Sequence, residues 1–315
     1  MILTAAALKG KVKRVANNDA RRAEVLMRIF FMERLLERVS LSKYKDNFIL
    51  KGGMLASSLI GVDMRTTMDM DTTVKALPLN EKDITDVIND ICSVEIEDNI
   101  TFEIQYVEKI MNDFEYPGVR LHIQGHFEGI RQPIKIDVST DDVITPSAIE
   151  YDYKLMFEDR TIRIMTYNVE TLLAEKLQTI LSRGIANTRL RDYYDVHMIT
   201  INTDFSWETL SEAFNATCKK RETIFSKEII QEELQHIDMD DKMKTNWDLF
   251  RTKNSYAAEM EWMDVLRSIK DTLGKIEELA LYRLKLEMEK GERERFLRKA
   301  RYPQMIKKRI KVIDL

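Results

Sequence analysis

The chain has 315 residues, 44% hydrophobic and 32% charged, with a formal net charge of -4. Ten glycines and five prolines argue against long disordered linkers, and the composition suits a soluble globular protein of one large or two smaller domains. Two widely separated cysteines, Cys92 and Cys218, exclude a disulfide framework and point to a reducing, cytoplasmic setting. The start, MILTAAALKGKVKR, has neither the basic segment nor the long apolar segment of a secretory signal, and no run is long enough for a membrane span.

Residues 6–40 are expected to be helical. In RRAEVLMRIFFMERLLERV, Val25, Ile29, Met32 and Leu36 recur at helical spacing with Arg and Glu between them. DNFILKGGMLASSLIG reads as a short buried strand over Phe48, Ile49 and Leu50, a break at Gly52 and Gly53, and a helix from Met54 to Ile60. TTMDMDTTV alternates as a strand does: Met68, Met70, Thr72 and Val74 share one face, and Thr67, Asp69, Asp71 and Thr73 the other. Residues 81–92 read as a helix. Residues 99–140 are strand-rich (ITFEIQYVEKI, VRLHIQGHF and PIKIDVST), with turn signals at MNDFEYPG and EGIRQP.

From about Tyr167 the pattern turns helical. Asn168 is a natural N-cap for NVETLLAEKLQTILSR, TRLRDYYDVHMI makes a further helix, and the helical character continues to about Arg301. The expected fold class is α+β: a mixed β-sheet with flanking helices over residues 1–165, then an all-helical domain over residues 166–315. The last 24 residues hold nine Lys or Arg (Arg293, Arg295, Arg298, Lys299, Arg301, Lys307, Lys308, Arg309, Lys311) against three acids. Such a tail is a candidate for phosphate backbone, as are Lys9, Lys11, Lys13, Arg14, Arg21 and Arg22; composition alone favours a solvated helix end. His122 and His126 share a strand face without further ligands nearby in sequence and read as ordinary strand residues.

The acids carry more information. Asp69 and Asp71 on one strand face repel each other unless a cation sits between them. In PIKIDVST, Asp137 is an acid on the polar face of an otherwise apolar strand. Two such strands side by side would converge three carboxylates, a seat for one or two Mg²⁺ ions in phosphoryl or nucleotidyl transfer. Lys51-Gly52-Gly53 ends a strand and opens a helix, which lets backbone N–H groups approach a phosphate. Lys176 and Arg183, seven apart on one helix, can point together into a cleft or simply face water. Arg191 and Asp195, four apart, can make a surface ion pair.

The order of a strand, KGG, a helix, Arg65-Thr66-Thr67-Met68-Asp69-Met70-Asp71, then IDV, then AEKLQTILSRGIANTRLRDYYD resembles the AbiEii toxin family of nucleotidyltransferases, of the polymerase-β-like superfamily. The resemblance runs from about Phe48 to Asp195. It implies a nucleotidyltransferase-like sheet. It also implies Asp69 and Asp71 as the metal-binding pair, which the strand reading joins with Asp137, and Gly52 and Gly53 as the nucleotide loop; Lys51 and Thr67 are expected to bind the nucleotide beside them. Lys176 would be the triphosphate lysine, and Asp192 and Asp195 the second acidic motif. Asp195 is expected as catalytic acid or base, and Asp192 as partner of Arg183 or Arg191. Met54 stands where the family has Ser or Thr, and Met70 where it has Ile or Leu. The resemblance further implies Mg²⁺ or Mn²⁺, an NTP substrate, an RNA acceptor (a tRNA 3′ end), growth arrest, and a cognate antitoxin that need not form a stable complex. Two other readings remain open: a transferase acting on a small molecule, and a nucleotide-binding protein without transfer activity.

Overall fold

Helix α1 (Ala5–Ala16) is capped by the Thr4 hydroxyl, which accepts from the Ala7 N–H, and α2 (Ala20–Leu41) by Asp19, which accepts from Arg21 and Arg22. The computed structural model describes residues 2–61, 65, 67–77, 80–110 and 118–310, with backbone alone at 287 and 291–310. Thr66, the turn expected over 111–117 and the side chains of the basic tail lie outside the described residues.

The remaining elements are β1 (Phe48–Lys51), α3 (Gly52–Ile60), β2 (Met70–Val74), α4 (Glu81–Cys92), β3 (Thr101–Ile110), β4 (Gly118–Phe127), β5 (Ile130–Thr140), β6 (Ile149–Lys154) and β7 (Thr161–Thr166). The helices α5 (Val169–Arg183), α6 (Leu190–Asn202), α7 (Trp207–Lys220), α8 (Lys227–Met239), α9 (Asp241–Lys253) and α10 (Trp262–Ile310) follow. Among the described residues the strands form one seven-stranded mixed sheet in the order β3-β4-β5-β2-β1-β7-β6. None of the described helices is long and apolar enough to cross a membrane.

The sequence reading omitted β6 and β7. Their pairing is antiparallel, and Tyr153, Ile162 and Ile164 fill the core from alternate positions. Strand β2 begins at Met70, so Thr67 and Asp69 lie in the segment leading into it rather than on a continuous ladder. The turn expected across EGIRQP is tighter than that: β4 runs to Phe127 and β5 restarts at Ile130, with Glu128 and Gly129 both at positive φ.

Helix α2 departs most from a simple amphipathic reading. Its apolar side packs Phe30, Phe31, Leu35 and Leu36 into the core, yet Glu33, Arg34, Glu37 and Arg38 are buried too, because α1, α4 and the sheet all contact it. Arg34, Glu37 and Arg38 are paired in place. Arg38 clasps Asp98 at 2.9 and 2.8 Å and also donates to the Ile100 carbonyl. Arg34 lies 3.0 Å from Glu37. Burial pushes the Glu33 carboxyl up to about 8, and it accepts from the Met156 N–H.

Strand β1 lies antiparallel to β2, and β2 parallel to β5. This central trio sets the chemistry: one register row carries Lys51 opposite Asp71 and Asp71 opposite Asp137.

Candidate active site

The row extends farther. Asp137 is opposite Arg120 on β4, and Arg120 is opposite Glu108 on β3. Five neighbouring strands thus present Glu108, Arg120, Asp137, Asp71 and Lys51 side by side, about 4.8 Å apart per strand. The signs alternate except at one junction, where Asp137 meets Asp71.

Beside that junction lies a cleft of about 520 Å³. Lys51, Gly52, Gly53, Thr67, Asp69, Asp71, Asp137 and Ser139 line it from the sheet side. Glu175, Lys176, Thr179, Arg189, Arg191, Asp192 and Arg221 line it from the helices. Asp71 is desolvated by its surroundings, and the neighbouring Asp137 and Asp69 add repulsion, so its carboxyl is pushed up to about 6 although the Gly53 N–H and Lys51 pull the other way.

The two glycines are there for space. Gly52 has φ +59, and a Cβ on it would come within 2.2 Å of Asp71 Oδ2; a Cβ on Gly53 would come within 2.5 Å of Thr67 Oγ1. The Gly53 N–H, expected to face a phosphate, here donates to Asp71 Oδ2 at 3.1 Å. Lys51 pairs with Asp142, which also accepts from Ser139 at 2.9 Å and from the Tyr167 hydroxyl at 2.7 Å. Burial lowers the Lys51 pKa, but Glu175 and Asp142 outweigh it and hold the ammonium above its ordinary value.

On the helical side, Lys176 reaches Asp192 at 2.8 Å and Asp195 at 2.7 Å. Arg65 donates to both oxygens of Asp195, at 2.8 and 3.0 Å, and to the Gly53 carbonyl at 2.6 Å. A continuous chain of charge-assisted hydrogen bonds therefore runs from the glycine turn through Arg65, Asp195 and Lys176 to Asp192 at the cleft wall. Burial would raise the Asp195 pKa, yet Arg65 and Lys176 bring it down to about 2.

Residues 34–268 match the family described as nucleotidyl transferase AbiEii toxin, type IV toxin–antitoxin system. The chain belongs to the AbiEii family. No curated protein matches the chain. Among solved structures, JHP933 from Helicobacter pylori is similar at TM-score 0.46 and 12% identity, over 84% of this chain and 97% of that one. A putative nucleotidyltransferase from H. pylori is similar at TM-score 0.46 and 13% identity, over 82% and 97%. An antigenic nucleotidyltransferase-like protein from Paracoccidioides brasiliensis gives TM-score 0.33 and 16% identity, over 63% and 97%.

As an AbiEii nucleotidyltransferase, the chain uses a nucleotide substrate, and the family implies a divalent metal and an antitoxin. The donor set suits a hard cation: Asp69, Asp71 and Asp137 offer only carboxylate oxygens, and Asp137 and Asp69 both press on Asp71. The three acids do not stand as a ready-made cage, however. Arg120 holds Asp137 through two bonds of 2.7 Å. Among the described residues no three carboxylate, imidazole or thiol groups are gathered closely enough to hold an ion. The histidines of this AbiEii sheet take other partners: His122 stacks on Tyr106 at 3.9 Å between centroids and bonds Glu108.

The structure thus brings Lys51, Gly52, Gly53, Thr67, Asp69, Asp71, Asp137, Lys176 and Asp192 around one cleft. It places Asp195 and Arg183 outside the lining. Asp195 is fully buried behind Lys176, and Arg183 ends α5 beside Gly184. The Arg191–Asp195 surface pair does not form as such, because Arg65 and Lys176 take the Asp195 oxygens. Sequence reasoning gave Arg65, Arg120, Asp142 and Arg221 no role. Arg221 joins Glu175, Gln178 and Thr179 at the cleft wall. Only Arg120 left a usable signal: aligning VRLHIQ against PIKIDV as a hairpin puts it opposite Asp137.

Proposed function

We infer that this AbiEii toxin transfers a nucleotidyl group from an NTP to an RNA acceptor, a tRNA 3′ end, and so arrests growth. The observation that carries the reading is the Asp71–Asp137 junction beside Lys51 and the Gly52-Gly53 turn, facing Lys176 across one cleft. In this reading Asp69, Asp71 and Asp137 are the residues that would hold Mg²⁺ or Mn²⁺, which would supply Lewis-acid stabilisation of phosphate charge.

The rest of the work falls to this chain's own groups. Lys51 and Lys176, both held in the charged state by neighbouring carboxylates, neutralise the triphosphate. Glycine at 52 and 53 leaves room for it, and Thr67 borders the same turn. The acceptor hydroxyl attacks the α-phosphorus, the α–β anhydride bond breaks, and pyrophosphate leaves. The hydroxyl proton passes to a carboxylate of the β2–β5 pair. Asp195 serves as a positioning residue: locked to Arg65, it fixes Lys176 and ties that lysine to the glycine turn. Asp192 orients the same ammonium from the cleft side.

The remaining parts of the proposal rest on the same assignment. Residues 1–165 hold the transferase chemistry, and residues 166–315 form the second wall and present the basic tail to RNA. The protein acts in the cytoplasm, and its antitoxin neutralises it without a stable complex. The cleft lining carries basic and acidic groups in near balance, which gives a polycationic drug no electrostatic advantage as acceptor.

The test is incubation of purified protein with Mg²⁺, each α-labelled NTP and total cellular RNA, beside Asp71→Ala. Label in a tRNA band with the wild type alone supports the reading. Label absent from every RNA, with NTP bound, refutes it.

A further inference from the structure

The cationic and glycine groups assigned to the triphosphate, Lys51, Gly52, Gly53 and Lys176, come from β1, α3 and α5. Two side chains of different chemistry reach the same cleft from α9: Phe250 near its end and Asn254 just beyond it. Phe250 is the one aromatic ring in the lining among the described residues. Three further rings back it. Trp247 stacks against it, with 5.2 Å between centroids and 29° between planes, and Tyr194 and Tyr256 lie 6.4 and 6.2 Å away. Trp247 is wholly buried, and its indole N–H donates to the Met260 carbonyl at 3.0 Å, so the backing is fixed. Phe250 itself is only half-buried.

Asn254 follows one helical turn later. Its backbone N–H and its Nδ2 both donate to the Phe250 carbonyl, at 3.0 and 2.8 Å. A carbonyl oxygen only accepts, so the amide nitrogen must face it and Oδ1 is turned away. Among the described residues no donor pairs with that Oδ1. A rigid π-face and a fixed, open acceptor thus border one cleft.

We propose that Phe250 and Asn254 form the base subsite of the donor nucleotide: the base stacks on the Phe250 ring, and an N–H on its edge donates to Asn254 Oδ1. The proposal rests on the reading of the cleft as an NTP site. Base and triphosphate are joined through one ribose, and the cleft, about 520 Å³, has the size of a small-molecule site. The acceptor need bring only a hydroxyl to the α-phosphorus, whereas the donor's base is tethered to the phosphates. Stacking holds any base, because every base has a π-face; the amide adds a directional contact that distinguishes one base edge from another.

The test is equilibrium binding of each NTP and of inorganic triphosphate to the full chain in Mg²⁺ buffer, with circular dichroism to confirm folding. Inorganic triphosphate makes the phosphate contacts without a base. Phe250→Leu is expected to weaken NTP binding about tenfold and inorganic triphosphate binding less than about twofold. Phe250→Tyr keeps the ring and is expected to stay within about twofold of wild type. Asn254→Leu removes no packed ring and is expected to narrow the spread among the four NTP affinities, again with inorganic triphosphate unchanged.

Equal weakening of NTP and inorganic triphosphate by Phe250→Leu overturns the subsite, since the ring then only supports the cleft. NTP binding unchanged by Phe250→Leu, with a raised KM for the RNA acceptor, gives the ring to the acceptor and overturns it too. A spread among NTPs that survives Asn254→Leu, or is absent from wild type, overturns the Asn254 contact. Wild type that binds neither NTP nor inorganic triphosphate overturns the NTP reading of the cleft, and the subsite with it. NTP binding that follows Phe250 as expected, without label in any RNA, supports the subsite and refutes the RNA acceptor.

Discussion

Arg65 and Asp195 are joined by two parallel hydrogen bonds, 2.8 and 3.0 Å, although 130 residues separate them in sequence. The pair is buried at both ends, and its remaining valences reach the Gly53 carbonyl on one side and Lys176 on the other. Helix α6 is in this way tied to the turn that opens α3, across the back of the cleft.

Removing the carboxylate should therefore cost stability as well as rate. Asp195→Asn leaves Arg65 and Lys176 as buried charges short of an anion, and the expected loss is about 3 kcal/mol or more, read as a lowered urea midpoint. Because the folded Asp195 pKa lies at about 2, below its ordinary value, its contribution is full above about pH 4 and fades as pH falls toward 2. Wild type should show this acid-side loss, and Asp195→Asn should not.

Glu33 has the opposite sign. Its folded pKa, about 8, lies above the ordinary carboxyl value. Its protonated form thus favours folding below about pH 4.5, and that contribution is lost as pH rises through 8. Glu33→Gln keeps a carbonyl oxygen for the Met156 N–H and removes the titration. Urea midpoints from pH 5 to pH 8 should fall in wild type and stay nearly flat in Glu33→Gln.

Gly52→Ala should abolish transfer without global unfolding. The added methyl collides with the Asp71 carboxylate and sits on a backbone with φ +59; the local cost is about 1–3 kcal/mol. Label transfer should be lost while far-ultraviolet circular dichroism is retained. A fully active Gly52→Ala would remove the glycine turn from the account.

Lys176 and Arg183 are distinguishable by experiment although sequence spacing places them on one helix side. Only Lys176 lines the cleft. Lys176→Met should reduce transfer on the order of 100-fold with a raised KM for NTP, and Arg183→Ala should cost much less. Equal losses in steady-state label transfer would contradict this geometry.

What was legible in the sequence was what local period and local chemistry encode. The β1–Gly-Gly–α3 unit follows from an apolar triplet ended by glycines, and Asp137 stood out as an acid on the polar face of an apolar strand. The register that sets Asp137 beside Asp71 was not available from either strand alone, since pairing is a long-range choice. The β6–β7 hairpin escaped although IEYDYK and TIRIMT alternate as strands do, because both are only six residues long and follow a stretch rich in turn formers. The burial of Glu33, Arg34, Glu37 and Arg38 escaped because helical period reports one apolar face, not how many elements close around a helix. Arg65 was visible in the R-T-x-x-D-x-D stretch, but no spacing rule connects it to Asp195.

Nucleotidyl transfer to tRNA 3′ ends at the Asp71–Asp137 junction, the proposed reaction, leaves a product that can be read in the cell. The most direct test is sequencing of cellular tRNA 3′ ends after induced expression of wild type and of Asp71→Ala at matched levels. Nucleotides added to tRNA 3′ ends and growth arrest are expected with wild type, and unextended tRNA with normal growth for Asp71→Ala. Growth arrest by wild type with unextended tRNA, or extension that persists in Asp71→Ala, would contradict it.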